Sequence, residues 1–119
     1  MTDEITLTIP RDREFHRVAH LVVSGLALRL DLTIETLEDI QTALDAILDF
    51  AGADGEVTVE LVSRDGTLET RIGPVDTHDE LERSDEGELS LSRVLAALVD
   101  DVQVDGDWVR LTKRVKADG

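Results

Sequence analysis

Two alternating runs, Val57–Val62 and Leu68–Ile72, flank Arg64-Asp65-Gly66. Asp-Gly between such runs is a strong hairpin signal, because both residues tolerate the positive φ of a tight turn. Each run has one apolar and one polar face. The hairpin therefore has a side to bury and a side to leave in water. Ile5, Leu7 and Ile9 alternate with Thr6 and Thr8 in the same way, and Pro10 closes that strand. Val102–Val104 and Trp108–Thr112 repeat the pattern across Asp105-Gly106.

Between and around these strands the period changes to 3.6. A helix is expected from Asp12 to Leu30, with Phe15, Val18, Ala19, Val22, Leu26 and Leu30 on its inner face. Gly25 sits inside it at some cost to helix stability. Thr33 is a suitable N-cap for a second helix over Ile34–Ala51. Its core stripe is Leu37, Ile40, Leu44, Ile47, Leu48 and Ala51, and Gly52 ends it. A third helix is expected from Leu89 to Asp100, with Leu91, Val94, Leu95 and Leu98 inward. Residues 76–88, DTHDELERSDEGE, carry no apolar period and read as an acidic loop.

The order β-α-α-β-β-α-β-β, with one-sided strands, predicts an α/β (α+β) two-layer sandwich. A mostly antiparallel sheet carries three helices on one face. The 119 residues make one domain, 1–119, with no internal repeat. The net charge of −15 opposes binding to nucleic acid or an anionic membrane, which need clustered Lys and Arg. It fits a solubility or salt-adapted surface, and it permits a basic protein partner. There is no cysteine, so disulfides are excluded. No apolar run is long enough to span a bilayer, and the acidic start MTDEITLTIP is not expected to act as a leader. The expected location is cytoplasmic.

The opening ITLTIPRDREFHRVAHLV, the helix EDIQTALDA and the ending LVDDVQVDGDWVRLTKRV together cover most of the chain. In this order they resemble the histidine-kinase-like ATPase superfamily, in its branch of anti-sigma-factor serine kinases. The resemblance implies a glutamate general base on the second helix and, four residues later, an asparagine that holds Mg²⁺. Anchored on Glu38-Asp39, those positions are Ala46 and Phe50, which can neither take a proton nor bind a cation. A one-residue shift would instead use Asp45 and Asp49, which share the same spacing. Their alternative reading is a solvated acidic face.

The adenine-reading aspartate of the family has only Asp76 as a displaced counterpart, without the glycine that should follow. The glycine-rich phosphate cradle before the third helix is replaced by Glu88-Leu89-Ser90-Leu91-Ser92. The acidic loop would repel a triphosphate. The expectation is a regulatory, protein-binding domain of anti-sigma type that has lost ATP hydrolysis and holds no cofactor. The alternative is an Mg-ATP-dependent serine/threonine kinase acting on an anti-sigma antagonist through Asp45 and Asp49. The resemblance implies a sigma factor or an anti-sigma antagonist as partner, and a homodimer whose contact the first or final strand could supply. Ala43, Ala46 and Phe50, facing Leu89 and Leu91, should fill the former pocket. An open cleft lined by Asp45 and Asp49 would favour the kinase.

His16 and His20, four apart, could form half of a metal site with His78, or be ordinary surface histidines. Arg11, Arg13, Arg17 and Arg29 gather scarce positive charge early in the chain. They balance the surface or meet an acidic partner or a second protomer.

Overall fold

The computed structural model describes residues 3–50, 55–75 and 91–114, without the side chains of Asp3, Phe50, Leu91 and Ser92. Strand β1 spans Asp3–Pro10, followed by a 3₁₀ turn at Arg13–Phe15 and helices α1 (His16–Leu30) and α2 (Ile34–Phe50). Strands β2 (Glu56–Arg64) and β3 (Thr67–Gly73) form the expected hairpin. Helix α3 (Leu91–Leu98) precedes a second hairpin of β4 (Asp101–Asp105) and β5 (Trp108–Arg114).

The sheet is antiparallel throughout, in the order β1-β2-β3-β5-β4. Asp65 at φ 47° and Gly66 at φ 79° make the turn that the Asp-Gly pair predicts. The three-helix, five-strand α+β arrangement matches the sequence pattern.

One face of the sheet carries the core. Ile9, Val57, Val59, Leu61, Leu68, Ile72, Val109 and Leu111 are buried there, while Thr6, Thr8 and Arg110 lie on the exposed side. From the helices come Ala19, Val23, Leu26, Ile40, Ala43, Leu44, Ile47, Leu48 and Leu95. Thr33 caps α2 as expected, its Oγ1 accepting the Thr36 amide at 3.1 Å. Asp31, at φ 60°, ends α1 in a left-handed turn, and the Leu32 amide bonds the Ala27 carbonyl at 2.9 Å.

Three details differ from the pattern. Val18, placed inward by periodicity, is 36% exposed, and Val23 and Ala27 are buried instead. Apart from a polar sector of His16, Arg17, His20 and Ser24, α1 is apolar on most of its circumference, so spacing alone leaves its inner face undetermined. α3 ends at Leu98 rather than Asp100, because the Asp100 amide bonds the Thr112 carbonyl at 2.9 Å and draws the chain toward the sheet. The final strand β5 lies between β3 and β4, so it offers no free edge for a dimer.

Candidate functional site

Helix α2 carries both sets of candidate positions, and its two flanks face different helices. Asp39 bonds Lys113 Nζ at 3.2 Å, and the same ammonium donates to the Leu98 carbonyl, at the end of α3, at 2.9 Å. The Asp39 flank of α2 therefore faces α3. Ala46 lies seven residues on, two turns along the same flank. It is half-buried and packs against the core. Phe50 follows it at the last position of α2.

The other flank faces α1. Gln41 donates to the His20 carbonyl at 3.3 Å and to Ser24 Oγ at 3.2 Å. Four residues later Asp45 Oδ1 lies 2.7 Å from His20 Nε2. One turn further, Asp49 Oδ1 is 3.4 Å from Arg13 Nη2. Each of the two shifted-register carboxylates thus has a nitrogen partner from the start of the helical layer.

Between these groups lies an open cleft of about 450 Å³, lined by Arg13, Glu14, His16, Arg17, His20, Asp45 and Asp49. An open cleft lined by Asp45 and Asp49 is the feature that favours the kinase alternative. Its lining mixes three carboxylates with two guanidinium groups and two imidazoles. His16 Nε2 is buried and has no hydrogen-bond partner among the described residues. Sequence spacing pairs His16 with His20, but only the fold brings Asp45 to them. Among the described residues no group of three or more His, Cys, Asp or Glu is arranged to hold a metal.

Asp76, His78 and Leu89 lie outside the described residues, as do the side chains of Phe50 and Leu91. At the described positions, Ala46 offers no donor or acceptor for a cation or a nucleotide. The carboxylates of Asp45 and Asp49 are turned to the other side of α2. Ala46 thus supplies neither the general base nor a cation ligand at the position where the resemblance implies the base.

No family model matches the chain. It is 36% identical to the serine-protein kinase RsbW of Listeria monocytogenes serovar 1/2a, over 97% of this chain and 89% of the relative. The RsbW proteins of Listeria innocua and Bacillus mycoides are 35% and 25% identical, over 97% and 96% of this chain. The alignment to the first spans 141 positions against 119 residues here, so that relative carries internal segments this chain lacks. Among solved structures, the chain matches the RsbU and RsbW domains of a Mycobacterium tuberculosis protein, with a TM-score of 0.68 at 15% identity. That match covers 95% of this chain and about a third of the larger one, 32%, and it speaks for the fold. Identity and coverage to the Listeria protein together place this chain in the RsbW family of anti-sigma serine-protein kinases.

Proposed function

We propose that the chain is a regulatory domain of anti-sigma type that acts by holding a protein, a sigma factor or an anti-sigma antagonist, and that it has given up ATP hydrolysis. The observation that carries this is the division of α2. Its α3-facing flank presents Ala46 where the resemblance requires a general base. The carboxylates that could replace it, Asp45 and Asp49, point to α1 and are already partnered by His20 and Arg13. The resemblance further implies a homodimer. Among the described residues no helix is long and apolar enough to cross a membrane.

A second reading keeps the kinase. Two observations favour it: the relatives carry the name serine-protein kinase, and the cleft lined by Asp45 and Asp49 is open. In that reading Mg-ATP is the cofactor and an antagonist protein the substrate.

Isothermal titration calorimetry with Mg-ATP separates the two. The proposal expects no saturable heat up to millimolar nucleotide, together with direct binding of a sigma factor or anti-sigma antagonist from the same organism. Micromolar Mg-ATP binding that is lost in Asp45→Ala or Asp49→Ala would overturn it and establish the kinase.

A further inference from the structure

Trp108 and Arg110 of β5 stand on the solvent side of the sheet, because Val109 and Leu111, which alternate with them, are buried in the core. The single tryptophan of the chain is therefore placed outside the core. Its ring lies over Gly73 of the neighbouring strand β3, where a Cβ would overlap the indole carbons Cγ, Cδ2 and Cε2. The glycine clears a seat for the ring on the sheet surface. Trp108 is nevertheless only half-buried.

Two residues further along the same side, Arg110 stands directly opposite Arg71 of β3. Side chains so opposed lie about 5 Å apart at Cβ, and like charges in that position destabilise a sheet. Both arginines are exposed. Their row across the sheet runs Glu60, Arg71, Arg110, Gln103. Glu60 reaches Arg71 only at 3.5 Å, with side chains 29% and 45% exposed. Arg110 donates to the neutral amide oxygen of Gln103. One carboxylate thus faces two guanidinium groups, and the row is net positive within a chain of net charge −15.

We propose that Trp108, Arg71 and Arg110 form a docking surface for an extended segment of a partner protein that presents one carboxylate and, two residues away, an aromatic or aliphatic side chain. The carboxylate sits between the two guanidinium groups, which relieves their repulsion with charge-assisted hydrogen bonds. The apolar side chain rests on the indole. Two residues of extended chain span roughly 7 Å, the same step that separates Trp108 from Arg110. Tryptophan and arginine are also the residue types that most often anchor protein interfaces.

Charge around the patch selects the occupant. Glu69 and Asp101 flank Thr112 in the next row, and Asp105 stands opposite Trp108, all on the same side of the sheet. A nucleic acid or a run of carboxylates would meet these three groups, whereas a single carboxylate centred on the arginine pair does not. The surface rests on the protein-holding reading above only in that its occupant is a protein. Its test uses peptides and no nucleotide, so it fails or stands apart from the calorimetry with Mg-ATP.

The test is titration of the full-length chain with the peptide acetyl-Phe-Thr-Glu-Thr-amide, followed by the fluorescence of Trp108. A saturable change with a dissociation constant of about 1 mM or tighter is expected, weakening as salt is raised. Replacing the peptide's Glu by Gln, or its Phe by Ala, should weaken binding roughly 10-fold, and so should Arg71→Gln or Arg110→Gln in the protein. The urea midpoint of Arg110→Gln should not fall, because the change removes a like-charge pair, and this separates lost contact from lost folding. Absence of a saturable change up to about 20 mM peptide would overturn the proposal. So would equal binding of the Gln peptide, or full binding by both arginine variants. The same fluorescence change with inorganic phosphate alone would make the pair a small-anion site and overturn the protein occupant.

Discussion

His20 Nε2 lies 2.7 Å from Asp45 Oδ1, across the junction of α1 and α2 and at the floor of the open cleft. Both side chains are about a third exposed, at 34% and 39%, so the contact is partly screened by water. It nevertheless occupies the carboxylate that a shifted catalytic register would need free.

Removing either partner should therefore be mild. His20→Ala and Asp45→Ala should each cost about 1 kcal/mol of stability, and a double-mutant cycle should return a coupling of about 0.5–1 kcal/mol. Urea unfolding of the four proteins measures it. A coupling near zero would mean that the two helices are aligned by apolar packing and by the bonds of Gln41 to His20 and Ser24 alone.

His16 gives a prediction of opposite sign. Its buried Nε2 has no partner among the described residues, and such a group costs about 1–3 kcal/mol. Replacing it with an apolar side chain of similar size, His16→Leu or His16→Met, should raise the melting temperature. Thermal denaturation followed by circular dichroism reads this directly. A drop would show that the imidazole contributes more by packing than its orphan nitrogen costs.

Lys113 joins three elements, reaching from β5 to Asp39 of α2 and to the end of α3. Lys113→Met preserves the aliphatic stem and deletes the ammonium, leaving Asp39 without that partner and the Leu98 carbonyl without that donor. The expected loss is about 1–3 kcal/mol, with the side chains 20% and 30% exposed. Asp39→Asn in the same background should recover part of it by removing the stranded charge. Chemical denaturation with an unchanged m-value is the measurement.

Gly73 closes β3 beneath Trp108, and a Cβ built on it would overlap the indole ring. Gly73→Ala should cost about 1–3 kcal/mol through overpacking. The shift should be largely relieved in Gly73→Ala/Trp108→Leu. Trp108 is the single tryptophan, so its fluorescence in Gly73→Ala reports whether the ring has moved toward solvent. An unchanged spectrum and stability would mean that the backbone yields instead of the ring.

The sequence by itself determined what depends on near neighbours along the chain. The Asp65-Gly66 turn, the one-sided strands, the Thr33 cap and the core stripe of α2 through Ile40, Leu44, Ile47 and Leu48 follow from local φ preferences and from the 2.0 and 3.6 periods. So did the absence of a base at Ala46, since residue type at one position needs no fold to be read. Tertiary structure decided the rest. The inner face of α1 could not be chosen from spacing, because apolar residues occupy most of its circumference outside the His16, Arg17, His20 and Ser24 sector, and only packing on the sheet buries Val23 and leaves Val18, Leu21 and Leu28 outside. The partners of Asp45 and Asp39 lie 25 and 74 residues away along the chain. Their pairing depends on how α1, α3 and β5 are set against α2 in the layered fold. Contacts of that separation arise from burying one apolar face against another, and no local pattern encodes which polar groups the burial brings together.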